Sequence, residues 1–255
     1  MKLKEINIRK STDSLKSVNQ NFLHYASFRG YENDFIKPQA FENADSLVIV
    51  TDCGDVKVIG ERAFASCSKL ERFDGVPYSV GDEAFKFCSS LKDFNFNSVK
   101  QLSNAAFEFS GLMKANFSDS IQFIPYRCFA NCLHLTSINL NKIESIEEGA
   151  FSMTGLKMIE LPYYLQEIGP SAFESCFRLT DIVCSSPVPP KLGNKAFANT
   201  SIQNIWFLSE DIRQSYLKNR QWSKWSDKMK LISARDLIER SKEVEIEDKK
   251  SFFLS

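Results

Sequence analysis

Ala63-Phe64-Ala65-Ser66-Cys67-Ser68-Lys69-Leu70 is the stretch that decides the fold. Laid along the chain, it returns as Ala84-Phe85 through Leu91, Cys128-Phe129 through Leu135, and Ala172-Phe173 through Leu179. Its phenylalanine keeps a wider beat, at Phe41, Phe64, Phe85, Phe107, Phe129, Phe151, Phe173 and Phe197, spaced by about 22 residues. Self-similarity at a period of roughly 20–50 residues marks stacked supersecondary units, none of which can bury its apolar face without a neighbour. One elongated domain with a continuous, stacked core follows.

Each copy continues in the same way. Leu135-Thr136-Ser137-Ile138-Asn139-Leu140 and Leu156-Lys157-Met158-Ile159-Glu160-Leu161 alternate apolar and polar residues, the pattern of a half-buried strand. A second apolar pair then precedes the next phenylalanine, as in Val56/Ile59, Ile121/Ile124, Ile143/Ile146 and Leu165/Ile168, often with Gly or Pro behind it (Gly60, Pro125, Gly169). The internal spacing varies while the period holds. Phe107, Phe151 and Phe197 stand one residue closer to their Leu112, Leu156 and Ile202 than the other phenylalanines do to theirs, and the deficit is recovered in the next segment. Stacking requires this, since every rung must lie over the one before.

The motif Ala-Phe-x-x-Cys-x-x-Leu-x-x-Ile, alternating with the shorter Ala106-Phe107-Glu108-Phe109-Ser110-Gly111-Leu112, resembles the BspA-like leucine-rich repeat over roughly residues 38–232. Pro187-Val188-Pro189-Pro190 before the last Ala196-Phe197, and Tyr216, Trp222 and Trp225 after it, are similar to the family's closing segment. The resemblance implies a right-handed leucine-rich-repeat solenoid, mainly β with short helical or 3-10 turns, of about seven to eight coils. It also implies binding of a protein or surface ligand, in many members at a microbial cell surface, and no enzymatic activity.

Composition narrows the function classes. Lys plus Arg equals Asp plus Glu, at 32 each, so no global field draws the chain to nucleic acid or anionic membrane. No apolar run reaches the roughly 18 residues of a membrane span, and Met1-Lys2-Leu3-Lys4-Glu5-Ile6-Asn7 reads as too polar for a secretory signal. Of the seven cysteines, Cys67, Cys88, Cys132 and Cys176 share one column of the repeat and are expected to be small buried residues. Only Cys67 and Cys88 fall in adjacent rungs, so theirs is the one ladder pair that could reach disulfide distance. Interior thiols suit a reducing compartment. A cytoplasmic location is therefore expected, with the cell surface as the alternative.

Chemistry-bearing constellations are sparse. Cys128 and Cys132 with His134 nearby suggest zinc, but both cysteines occupy repeat columns and no fourth ligand lies near, so no metal is expected. His24 and His134 are the only histidines, and neither sits in a triad-like context. No glycine-rich phosphate loop follows a strand. Neither catalytic residues nor a cofactor is expected.

Function is sought instead on the outward positions of the strands, which by the family resemblance line a concave face. One column reads Asp74, Asn95, Asn116, Asn139, Glu160, Val183 and Trp206; the column before it reads Arg72, Asp93, Lys114, Ser137, Met158, Asp181 and Asn204. Two readings of the first column stand: a solvated amide ladder that keeps the sheet soluble, or a strip that contacts a partner. Trp206 is either a contact residue or packed beneath the C-terminal segment.

The ends of a solenoid need caps. Residues 1–37 are expected to form the N-terminal cap, with a short amphipathic helix carrying Leu15, Val18, Phe22 and Tyr25 behind Ser11-Thr12-Asp13. The repeats are placed over 38–208. A C-terminal cap over 209–232 would open as a helix at Ser209-Glu210-Asp211-Ile212, with Trp222 and Trp225 covering the last rung. In the charged tail, 233–255, a helix could begin at Ser233, while Glu243 to Lys250 reads as solvated and mobile and Phe252-Phe253-Leu254 as an apolar tip. The expected function is a non-enzymatic protein-binding scaffold acting through the concave face, or alternatively a cell-surface adhesin.

Overall fold

The structure is a computed structural model that describes the backbone of residues 4–8 and 23–253 and the side chains of 7–8 and 23–244. The chain winds into a parallel β-solenoid of about nine turns, somewhat more than the seven to eight expected. Every coil passes through three rows: the strand that the family resemblance places on the concave face (the concave row), a short second strand, and a chain of tight turns that carries the phenylalanine.

The turn row is the most regular. In seven successive coils the phenylalanine N–H, and the N–H two residues to either side, donate to carbonyls of the next coil at 2.7–3.0 Å, as in Gln39 to Glu61, Phe41 to Ala63 and Asn43 to Ala65. The N–H groups between and after them bond back three residues within their own coil, as Ala40 does to Lys37, Glu42 to Gln39 and Ala44 to Phe41. These bonds have the spacing of a 3-10 turn, but the segment is a run of β-turns because both flanking residues adopt positive φ. Arg62 and Ser66 (53° and 62°) and Arg127 and Asn131 (49° and 61°) are examples. The positive φ falls at the third position of the outer two turns, as type II turns require, while the middle turn, with the phenylalanine third, has none; the alternation keeps the segment from coiling into a helix. Between each pair, the phenylalanine points inward. Consecutive rings from Phe41 to Phe197 stack nearly parallel with centroids 5.0–5.6 Å apart.

Two of the three short copies, those of Phe107 and Phe151, carry a glycine where neighbouring coils come together. A Cβ on Gly111 would lie 2.1 Å from the Ser89 carbonyl oxygen, and one on Gly155 would lie 2.5 Å from that of Leu133. The cysteine column lies beside the rings. Cys67, Cys88, Cys132 and Cys176 donate to the phenylalanine carbonyl of the coil before, at 3.0–3.1 Å. Ser110 and Thr154 fill the column in the short coils and bring their hydroxyls within 3.3 and 3.2 Å of the thiols of Cys132 and Cys176. Small polarizable donors thus satisfy carbonyls that the ring stack removes from water. All seven cysteines are free and buried.

The second row is a ladder of two-residue parallel strands, Phe35–Ile36 through Gln101–Leu102 and then Phe123–Ile124 through Lys191–Leu192. The concave row is less uniform and runs in three hydrogen-bonded sections. The first joins Lys4–Asn7, Leu23–Ser27, Ile49–Cys53 and Arg72–Gly75; the second, Lys114–Asn116 and Ser137–Asn139; the third, Met158–Leu161, Asp181–Cys184, Asn204–Phe207 and Met229–Leu231. The backbone of Asp93–Phe96, between the first two sections, pairs with neither neighbouring strand. Its inward residues are Phe94 and Phe96, which wedge against Phe107 at 4.9 and 5.3 Å. Ring packing, in place of a ladder, holds this rung.

At the N-terminal end, Leu23–Ser27 is a strand of the concave sheet, with Tyr25 opposite Ile49. Tyr25 is therefore not part of a capping helix, and the rest of that expected helix, from Ser11 to Phe22, lies outside the described residues. The repeat sheet consequently starts inside the segment read as a cap. At the other end the expected helix is present as α1 (Glu210–Lys218), capped by the Ser209 side chain, which accepts from the Asp211 N–H at 3.2 Å. Tyr216 and Trp222 are fully buried, and Trp222 and Trp225 meet Phe197 at 6.0 and 5.9 Å, closing the ring stack. A second helix, α2 (Ala234–Phe253), begins behind Ser233, which accepts from the Asp236 N–H at 3.1 Å. It runs straight through Glu243–Lys250, the stretch expected to be mobile.

Candidate protein-binding face

The strands hold five of the seven positions of the candidate column in register, Asn116 against Asn139 and Glu160 against Val183 against Trp206, while Asp74 and Asn95 have no paired position on the next rung. Parallel pairing puts such residues on one face about 4.8 Å apart. The column divides in two. Asn95, Asn116 and Glu160 are exposed, and Asp74 and Asn139 are half-exposed. Asp74 forms a salt bridge with Arg72 at 2.5 Å. Asn95 and Asn139 accept from the N–H of Asn97 and Asn141 at 3.0 and 2.9 Å, and Glu160 accepts from the Ser185 hydroxyl at 3.1 Å. The local pairings keep these side chains ordered at the surface. An open hollow of about 440 Å³ lies over the first part of the column, against Arg72, Asp74, Asp93 and Asn95.

The other two positions differ. Val183 is 0 % exposed and cannot be a free contact residue. Trp206 is in backbone register with Val183, and its indole N–H donates to the Asp181 carboxylate at 2.7 Å. Trp206 is half-buried, with the Lys230 ammonium 5.6 Å from its ring centroid.

Asp181, from the second outward column, is the centre of this end of the face. It is fully buried and accepts from Trp206 Nε1 and Asn204 Nδ2 at 2.7 and 3.0 Å on Oδ1, and from Thr180 Oγ1 and Arg240 Nη2 at 2.7 and 3.1 Å on Oδ2. Burial pushes the carboxyl up, but the bonds from Trp206, Thr180 and Arg240 and the charge of Arg240 outweigh it and hold its pKa below the ordinary aspartate value. Sequence reasoning placed Asp181 in the right column but not in the site. The adjacent Thr180 and the Trp206 one rung on were the available signals, whereas Arg240 is 59 residues away and has no local signature.

The chemical clusters considered from sequence resolve into packing. Cys128 and Cys132 are both 0 % exposed, and desolvation drives the Cys128 thiol well above the usual cysteine value and that of Cys132 up to about 12. Protonated, enclosed thiols are neither good nucleophiles nor ready ligands. His134 is exposed on the surface. Among the described residues no three His, Cys, Asp or Glu side chains converge as a metal site. The turn row carries instead a ladder of ion pairs across five coils, Glu42–Arg62–Glu83–Lys86–Glu108–Arg127. The same side exposes one large apolar residue per coil at Phe87, Phe109, Leu133, Met153 and Phe177, with the first two rings stacked at 4.8 Å.

A stack of about nine parallel coils with a polar concave strand face and a phenylalanine turn row defines a leucine-rich-repeat solenoid. The chain belongs to the BspA type leucine-rich repeat family, whose model matches residues 30–136 and 100–222 in six copies. Among solved structures, it is similar to a leucine-rich cell surface protein of Faecalibacterium prausnitzii, with 28% identity and a TM-score of 0.57 over 63% of this chain and 45% of that one. It is also similar to a leucine-rich repeat protein of Bacteroides ovatus (21% identity, TM-score 0.44, 69% and 59% coverage). A leucine-rich repeat protein of T. pallidum matches at 22% identity and a TM-score of 0.33, with 62% and 57% coverage. The chain spans about half the length of these structures. No curated protein matches the chain. Among the described residues, no helix is long and apolar enough to cross a membrane.

Proposed function

We propose that the protein is a non-enzymatic scaffold that binds a protein partner on the open part of its concave face, from Arg72 to Glu160. The observation that carries this reading is that Asp74, Asn95, Asn116, Asn139 and Glu160 stand at the surface of five successive rungs while contributing nothing to the core. A rigid sheet that presents polar groups at regular spacing matches an extended partner surface at small ordering cost. Purified protein carrying Asn116→Ala, Asn139→Ala and Glu160→Ala together should lose partners captured from source-cell extract by the unsubstituted chain. Unchanged capture would sink the concave-face assignment and direct attention to the apolar turn-side row of Phe87, Phe109 and Phe177.

The similarity to a protein described as a cell surface protein supports a second reading, that of a surface adhesin. The ladder of free, buried thiols favours work in a reducing compartment. Protease shaving of intact source cells separates the two: a cytoplasmic scaffold survives untouched, and a surface adhesin is clipped.

A further inference from the structure

We propose that Asp181 anchors a guanidinium-binding subsite at the C-terminal end of the concave face, made to take an arginine of a protein partner and filled here by the chain's own Arg240. The inference rests on the concave-face reading and names the partner chemistry recognised at one end of that face.

The subsite is built by the solenoid alone except for its cation. Thr180, Asn204 and Trp206, all on or beside the concave strands, direct one hydroxyl, one amide and one indole N–H at the Asp181 carboxylate. They orient it and satisfy Oδ1 twice, but leave Oδ2 with a single hydroxyl. A carboxylate that is 0 % exposed needs a cationic partner to remain ionised. An aromatic ring beside the carboxylate suits a flat, weakly hydrated guanidinium better than an ammonium.

Arg240 fills the place imperfectly. It reaches Asp181 through one nitrogen at 3.1 Å, its Nη1 lies 3.4 Å from Glu243 on its own helix, and its buried Nε has no hydrogen-bond partner. An arginine is capable of a bidentate, fully bonded pair with a carboxylate, and this one forgoes it. Among the described side chains around the contact, few hold the helix: Arg235, Asp236, Glu239 and Glu243 are exposed, Ile238 is 58% exposed, and Ile232, Leu237 and Val244 are half-buried. A cleft of about 480 Å³, open to solvent, lies between α2 and Trp206 and is lined by Arg240 itself, so an arginine entering it meets the residue it would displace. The chain's own residue thus acts as a stand-in that a better-fitting partner arginine displaces.

The test uses the full chain and a tripeptide probe, acetyl-Gly-Arg-Gly-amide, followed by the indole N–H signal of Trp206 in nitrogen-15 NMR. That signal is identified among the three tryptophans as the one lost in Trp206→Phe. Arg240→Ala takes the cation from a buried carboxylate, so it should lower the melting midpoint while leaving the solenoid folded at the temperature of the titration, which unchanged indole signals of Trp222 and Trp225 check. With the internal competitor gone, this variant should bind the probe at least about tenfold more tightly than the unsubstituted chain, by competition against a tethered ligand. The citrulline tripeptide, which has the same shape without the charge, should give no shift. Equal titration of Arg240→Ala and the unsubstituted chain, or equal response to arginine and citrulline, would overturn the proposal without requiring any change to Asp181. Loss of capture by the Asn116, Asn139 and Glu160 variant alongside such a result would leave the concave-face reading standing and remove only the subsite.

Discussion

The turn row and the concave row wind through the same coils, yet one repeats without interruption from Phe41 to Phe197 and the other changes character along its length. In the turn row every coil makes the same three hydrogen bonds to the next and adds one stacked ring. In the concave row the ladder lapses at Asp93–Phe96, the open column carries polar side chains as far as Glu160, and the surface closes at the buried Asp181 and Val183. The turn row holds the coils in register, which frees the concave strands to lose a ladder, present polar groups or build a pocket without loss of the stack.

Phe129→Ala tests that division where it should be strongest. The ring is 0 % exposed and stacks on Phe107 and Phe151 at 5.6 and 5.5 Å. Its removal should cost about 3–5 kcal/mol, read as an earlier denaturant midpoint for the whole solenoid. A loss confined to one part of the molecule, or none, would mean that the turn row is not the common core. Gly111→Ala probes the same row through its backbone. The added methyl would stand 2.1 Å from the Ser89 carbonyl oxygen and 2.9 Å from its carbon, so two coils must part. A cost of about 1–3 kcal/mol is expected, and a neutral melt would show that the coils slide more readily than their hydrogen bonds suggest.

Asp181→Asn acts at the closed end of the concave row and should cost about 1.5–3 kcal/mol, the range for hydrogen bonds to a charged group. The substitution also removes a pH dependence. Because the folded-state pKa of Asp181 is lowered, its contribution is complete above the ordinary aspartate value of 3.8 and is lost as pH falls through the lowered value. Arg240 and Glu243 are the charged groups paired at this place, and the Lys230 ammonium faces the other partner, Trp206. In the unsubstituted chain the Trp206 indole signal should therefore hold from neutral pH down to about pH 4 and move only below it; in Asp181→Asn that acid transition should vanish. The same acid shift in both proteins would place the titrating group elsewhere.

How much of each row could be read from sequence follows from the same contrast. The ring stack, the thiol column and the compensating short coils were legible because each column repeats the same residue types, and repetition at fixed period is itself the signal. The positive φ angles were not. Arg62, Glu83, Arg127 and Lys195 are not residues that choose a left-handed backbone; the hydrogen bonds of the neighbouring coils impose it. The lapse at Asp93–Phe96 was hidden as well, since Phe94 and Phe96 fit the alternating pattern of a strand and their ring contacts with Phe107 have no signature in it. For the candidate column, the pairing of Asn116 with Asn139 and of Glu160, Val183 and Trp206 follows from aligning the repeats, whereas accessibility does not: Val183 occupies the column and is fully buried. The pairing of Asp181 with Arg240 depends on where α2 folds back, which no local pattern encodes.

The smallest effect is expected on the open column, and there the smallness is the point. Asn116 is exposed, Asn139 bonds the N–H of Asn141 in its own turn, and Glu160 meets only the exposed Ser185 hydroxyl. None of the three touches the ring stack, so each alanine substitution should change stability by no more than about 0.5 kcal/mol, as surface changes away from caps and cores do. The triple variant should melt with the unsubstituted chain while its partner capture fails. A variant that melted several kcal/mol early would show instead that the amide column is part of what holds the concave strands together, and the separation between a turn row that folds and a concave row that binds would not hold.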